Sequence, residues 1–281
     1  MSVLRPRSLE EPHYVSDVAA AIVAALGVLG LLIGSFLNVV IARVPEHRSV
    51  IHPASACPDC GSQLRWRDNI PVLSWLVLRG RCRTCGGVIS WQYPLVELAN
   101  ATLWVALAYW SLFVVEQASL LPLLLTLASA GLALAVIDAR TQRLPDAIVL
   151  PLYPIAVVGL AASQLVTGVG HWLPALGGAL LWISVIGGLW LLTAGRGMGF
   201  GDVKLAPILG ATLGWLGMEY AAVGLFAGFL VGAVVGIVYL ISGRAQRGSR
   251  LAFGPFLLIG SLLGLLIAEP VWGAYSDLMG L

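Results

Sequence analysis

The 281 residues include 16 Lys and Arg and 14 Asp and Glu, a formal net charge of +2 at pH 7, with 59% hydrophobic and 11% charged residues and a mean hydropathy of +0.91. Soluble domains carry roughly a quarter charged residues, so this composition excludes a water-soluble globular protein and points to an integral membrane protein. The apolar runs are long and lack period-two alternation, which excludes a β-barrel and leaves helices, whose backbone is hydrogen-bonded internally in lipid.

Residues 1–17 are polar and hold Glu10, Glu11 and Asp17 where a cleavable signal would have a basic region, so they read as an external N-terminal tail. Crossing the hydrocarbon core takes about 20 apolar residues. On that criterion eight helices are predicted, at 18–41, 94–115, 119–138, 147–167, 172–194, 203–217, 219–242 and 254–275. The sixth is short. Residues 42–93, between the first two spans, form the one sizeable extramembrane segment, and residues 94–281 hold the remaining helices. The expected class is an all-α polytopic membrane protein with about eight transmembrane helices and a small cytoplasmic zinc-binding loop domain.

Charge sets the direction, because Lys and Arg in short loops favour the cytoplasm. Arg43, Arg48, Arg65, Arg67, Arg79, Arg81 and Arg83 lie in the 42–93 loop. Arg140, Arg143, Arg196, Lys204, Arg244, Arg247 and Arg250 fall on the same side if the spans alternate. The opposite loops carry Glu116, His171 and Glu219 but no Lys or Arg. Arg5 and Arg7 dissent and are partly offset by the acids beside them. Both termini are therefore expected outside and the loop in the cytoplasm.

All four cysteines sit in that loop, as CPDC (Cys57, Cys60) and CRTC (Cys82, Cys85), with 21 residues between the pairs. This spacing matches four-thiolate zinc sites. A loop of about 50 residues builds little core, and zinc–sulfur bonds can supply the folding free energy instead. Disulfides are disfavoured in a reducing cytoplasm. Four thiolates fill the coordination sphere, so this Zn2+ is expected to be structural.

Ionisable groups in or beside membrane helices are functional candidates by default. Asp138 ends the third helix, Asp146 follows Pro145 at the start of the fourth, and Asp202 starts the sixth after a glycine run, GRGMGFGD. All three are expected near the cytoplasmic face. Two aspartates sharing a proton can activate water, as in aspartic proteases. Asp146 and Asp202 could each simply cap a helix. Asp138 has no such role, since an anion at a helix C-terminus opposes the macrodipole. Gly197, Gly199 and Gly201 suggest a backbone that is approached closely or bends. A phosphate loop is disfavoured because no strand precedes these glycines and Asp202 would repel a phosphate. Asn38 and Glu97 read as packing or interfacial groups, and His13, His47, His52 and His171 have no metal spacing.

Several stretches together resemble the bacterial type IV prepilin peptidases, the GxGD-type membrane aspartic proteases. They are GSFLNVVIARVP (34–45), CPDC, NIPVLSWLVLRGRCRTCG (69–86), ISWQYPLVELA (89–99), IDARTQRLPD (137–146), GMGFGDVKL (197–205) and FGPFL (253–257). The resemblance implies a multi-pass enzyme of the bacterial inner membrane. Such an enzyme cleaves the basic leader of type IV prepilins and secretion pseudopilins at the cytoplasmic face, after a glycine. It implies Asp138 and Asp202 as the catalytic pair, a choice the residues alone leave open against Asp146, with Asp146 and Lys204 as supporting charges. It implies peptidase function for 94–281. For the four-cysteine loop it implies N-methylation of the new N-terminal residue with S-adenosylmethionine, the alternative being a peptidase whose zinc loop only shapes substrate docking. Prepilins, pseudopilins and the bilayer are the expected partners, and no nucleic acid is expected. Helix placement favours Asp202 as the anion that takes the proton from water and Asp138 as the neutral acid that polarises the scissile carbonyl. Glu46, Asp59, Asp68 and Glu97 are candidates for leader docking, and the glycines for seating substrate backbone. A transporter with a zinc-bearing loop is the competing class.

Overall fold

A computed structural model describes residues 11–243 and 252–280. Arg5, Arg7, Glu10, Arg244, Arg247 and Arg250 of the charge argument lie outside the described residues, as do the side chains of residues 11–17. The helices are α1 (Glu11–Arg43), α2 (Leu73–Val77), α3 (Gln92–Tyr109), α4 (Leu121–Thr141), α5 (Asp146–Thr167), α6 (Trp172–Leu192), α7 (Phe200–Leu216), α8 (Met218–Ile241) and α9 (Gly254–Met279). No strand occurs among the described residues.

The eight expected spans correspond in order to α1 and α3–α9. The largest difference is at α1, which starts at Glu11 rather than 18. Pro12 is tolerated in a first turn, and no breaker separates it from the apolar run. The helix therefore extends through residues expected to be tail. Among the described residues seven of these helices are long and apolar enough to cross a membrane. The exception is α7, at 17 residues, about 25 Å of helix.

The chain divides into two compact units, one running to Asn38 and resuming over Ala54–Leu121, the other comprising Val39–Pro53 and the chain from Pro122. In the first unit α1 and α3 meet through small residues. A Cβ on Gly34 would come 2.7 Å from Glu97 Cα, and one on Gly30 would come 2.9 Å from Ala101 Cα. The Asn100 amide donates to the Gly30 carbonyl at 2.8 Å. Asn38 donates to the Tyr93 carbonyl at 3.1 Å and accepts from the Gln92 amide at 3.3 Å. Asn38 and Glu97 are thus packing groups, and this packing joins α3 to the same unit as the cysteine loop.

In the second unit close backbone approach again replaces side-chain bulk, as small residues spaced four apart allow in membranes. Gly210 and Gly214 of α7 lie against Gly178 and Pro174 of α6, and Gly224 and Gly228 of α8 against Gly260 and Gly264 of α9. The Trp182 indole N–H reaches the Ala221 carbonyl at 2.9 Å, tying α6 to α8. The end of α4 and the starts of α7 and α9 come together in this unit. Two helices, α7 and α8, separate the last two of these points, so α7 runs away from this end and α8 returns to it.

Candidate active site and metal centre

Asp138 lies one turn before the end of α4 and Asp202 is the third residue of α7. Both are buried, at 5% and 4% exposure. The Gly199 N–H donates to Asp202 Oδ2 at 3.1 Å, and the Asp202 N–H donates to the Gly199 carbonyl at 3.1 Å. The carboxylate therefore closes the first turn of α7, where a negative charge is favoured by unpaired amides. Asp138 Oδ2 accepts an N–H from Gly254, the first residue of α9, at 3.1 Å. A Cβ built on Gly254 would lie 2.8 Å from Asp138 Oδ2 and 3.4 Å from Asp202 Oδ1. The two carboxylates thus converge on one backbone position. Asp202 Oδ1 is buried without a hydrogen-bond partner.

They form part of the wall of a cavity of about 500 Å³, lined also by Val44, His47, Thr141, Arg143, Leu144, Asp146, Gly199 and Lys204. Asp146 makes no capping bond to its helix. Its carboxylate instead meets Lys204 Nζ at 2.7 and 2.9 Å, with more than half of the Asp146 side chain exposed. The same ammonium sits 5.1 Å from the Phe200 ring centroid, and the Lys204 carbonyl accepts from the Tyr153 hydroxyl at 2.7 Å. Asp146 and Lys204 thus neutralise each other at the cavity mouth, while the buried pair is Asp138 and Asp202.

The three glycines have different neighbours. A Cβ on Gly201 would come 2.7 Å from Leu144 Cβ, whereas one on Gly199 would meet Asp202 Oδ2 at 3.5 Å and Gly201 N at 3.9 Å, and one on Gly197 only Thr193 at 3.5 Å or more. Gly199 and Gly201 line the cavity and Gly197 is absent from its lining. Two contributors escaped sequence reasoning. Gly254 stood in FGPFL without a role, and His47, whose backbone is left-handed at φ +55°, reaches the cavity from the short segment after α1. Nothing in the residue pattern around either marks it as near the aspartates.

In the first unit the four cysteine sulfurs lie within 4.8 Å of one another. Each pair sits in a matching knuckle. Cys57 N–H donates to Ser62 and Gly61 N–H to Cys57, and likewise Cys82 to Gly87 and Gly86 to Cys82. Gly61 and Gly86 take φ of +70° and +72°, which glycine adopts without strain. The Cys57 and Cys85 sulfurs are 3.8 Å apart, and a tetrahedron of 2.3 Å zinc–sulfur bonds sets sulfurs about 3.8 Å apart. Amides of Cys85 and Thr84 pull the Cys82 thiol down to about 6, whereas at Cys85 the Gly87 amide is outweighed by the neighbouring sulfurs, which push that thiol up to about 12, so the fit to a metal rests on the sulfur geometry. The donor set therefore fits a four-coordinate metal. Arg83 grips Asp68 with two nitrogens at 2.6–3.2 Å and holds its carboxyl below the usual range. Glu97 Oε2 accepts the Val72 N–H at 2.7 Å. Of the acids expected to dock a leader, Asp68 and Glu97 are thus engaged within this unit.

Two family descriptions match this chain: Bacterial Peptidase A24 N-terminal domain over residues 28–111 and Type IV leader peptidase family over 123–241. A curated Pseudomonas putida protein, Prepilin leader peptidase/N-methyltransferase, is 37% identical over 96% of both chains. The chain belongs to the type IV leader peptidase family. Proteins of the same name from Pseudomonas aeruginosa and Neisseria gonorrhoeae are each 35% identical, over 95% and 89% of this chain and 98% and 92% of theirs. No solved structure matches it. This type IV leader peptidase family member is a multi-pass membrane protein with a clustered four-cysteine site.

Proposed function

We propose that this chain cleaves the leader from type IV prepilins or pseudopilins at Asp138 and Asp202 and methylates the new N-terminus. The observation that carries the cleavage is the convergence of two buried carboxylates on Gly254 at a cavity wall. Like charges this close hold one proton between them. The ionised carboxylate takes a proton from water as its oxygen attacks the scissile carbonyl. The protonated partner gives its proton to the carbonyl oxygen, and collapse of the tetrahedral intermediate returns a proton to the leaving amine. Helix placement does not separate the two roles. Asp138 ends α4 but faces the amide at the start of α9, so each aspartate has a helix N-terminus beside it. The pair titrates as a unit.

The excess of Lys and Arg in the loops supports a cytoplasmic site and cysteine loop, in a protein of the bacterial inner membrane. Zinc is the metal best suited to four thiolates in this geometry, and as a closed site it supports the loop fold rather than the chemistry. Methylation follows the name shared by the relatives. S-adenosylmethionine would supply the methyl group. In the loop unit the buried Glu97 is engaged by Val72 and the half-buried Asp68 by Arg83, and no residue is assigned to that cofactor.

Mass spectrometry of a prepilin incubated with the purified protein and methyl donor tests both activities. A shortened, methylated N-terminus is expected. A shortened but unmethylated product would leave a peptidase whose zinc loop serves docking, and an uncut substrate would contradict the proposal.

A further inference from the structure

We propose that Gly254 is a positioning residue of the peptidase centre, its N–H orienting Asp138 and its missing side chain leaving the space in which the two carboxylates meet. The inference rests on the aspartyl pair proposed above and adds a third chain segment to it. Gly254 lies beyond the 123–241 stretch matched to the family.

The first amides of a helix have no partner within it. At α9 the Gly254 N–H finds its acceptor in Asp138, across 116 residues of chain and away from solvent. The start of the helix is held from several sides. Pro255 occupies its first turn, where its fixed φ is compatible with helix. Phe256 and Leu257 N–H groups both donate to the Phe253 carbonyl, at 3.0 and 3.2 Å. The Phe253 ring packs against Phe229 and Phe256 at centroid distances of 5.2 and 5.9 Å. The amide is therefore aimed by a rigid turn rather than by the aspartate it serves.

The absence of a side chain is equally specific. Gly254 has no left-handed φ, so its backbone conformation accommodates alanine, and alanine favours helix over glycine. What resists a methyl group there is the carboxylate pair, with Asp138 Oδ2 at 2.8 Å and Asp202 Oδ1 at 3.4 Å. A contact of 2.8 Å forces a shift, and the group that moves is a reacting one. Gly273, on the same helix, would place a Cβ with nothing within 4 Å and serves as the control.

The test compares Gly254→Ala with Gly273→Ala in prepilin cleavage kinetics, and measures thermal unfolding of Gly254→Ala with and without Asp138→Ala. Displacing a catalytic group by about 1 Å can cost 100-fold in rate, so Gly254→Ala is expected to lose about that factor in kcat while KM stays within about threefold. Gly273→Ala should match wild type. Gly254→Ala should lower the melting temperature when Asp138 is present and leave it unchanged or raised in the Asp138→Ala background, an effect that general damage to α9 would not produce. Near-normal kcat, a raised KM at unchanged kcat, a matching loss in Gly273→Ala, or an equal melting loss in both backgrounds would overturn the inference. If Gly254→Ala does not fold alone, a folded double variant supports it and an unfolded one overturns it. Retained cleavage in Asp138→Ala or Asp202→Ala would sink the pair itself, whereas inactive Asp variants beside an active Gly254→Ala would sink only this inference.

Discussion

The three glycines of GMGFGD should respond differently to alanine, and the differences follow from their neighbours. At Gly201 the added carbon would stand 2.7 Å from Leu144 Cβ, against about 4 Å for comfortable carbon contact. Neither partner can rotate away, because both atoms are fixed to backbone. The strain must move either the turn before α5 or the start of α7, and Asp202 follows Gly201 directly. Overpacking of this kind costs about 1–3 kcal/mol, and a displacement near 1 Å at Asp202 costs on the order of 100-fold in kcat. Gly199→Ala and Gly197→Ala create only contacts of 3.5 Å or more, so each should remain within about threefold of wild type. A bulky residue at 199 should block cleavage by filling the cavity while leaving the fold intact. The assay is steady-state prepilin cleavage alongside thermal unfolding in nanodiscs. Equal losses for all three alanine variants would refute this reasoning, because they would show that substrate backbone, not Leu144, sets the requirement for glycine.

Two further outcomes follow. The Asp146–Lys204 pair is too exposed to contribute more than about 1 kcal/mol, so Asp146→Asn and Lys204→Ala should unfold near the wild-type temperature and retain measurable cleavage, seen by gel assay. Asp146→Asn as inactive as Asp138→Ala would contradict their separate roles. The cysteine knuckles should bind one zinc per chain by elemental analysis. A strong chelator, or Cys57→Ser with Cys82→Ser, should remove the metal and open the 54–91 loop to protease, since a structural zinc supplies the folding free energy of such a loop; an equally protected loop without metal would count against the structural role.

The elements most legible in the residues were those set by local pattern. Hydropathy located every long helix to within a few residues apart from the start of α1, where polar residues after Pro12 continue a helix that membrane hydropathy cannot detect. The cysteine spacing anticipated a cluster because the C-x2-C turn and its glycine are local geometry. Asp138 and Asp146 looked alike in sequence, eight residues apart beside the same turn, and packing separates them: Asp138 faces inward to α9, while Asp146 faces Lys204 at the surface. Gly254 and His47 were not legible because their parts depend on contacts across more than 90 residues of chain. The glycine motif was half legible. Its need for a missing side chain showed, but Leu144 as the neighbour of Gly201 did not.

The central claim is that Asp138 and Asp202 together cut the substrate, and the most direct measurement is cleavage of a purified prepilin by Asp138→Ala and Asp202→Ala, each confirmed as inserted and folded. The account predicts that neither variant produces shortened pilin. Shortened pilin from either one would contradict it.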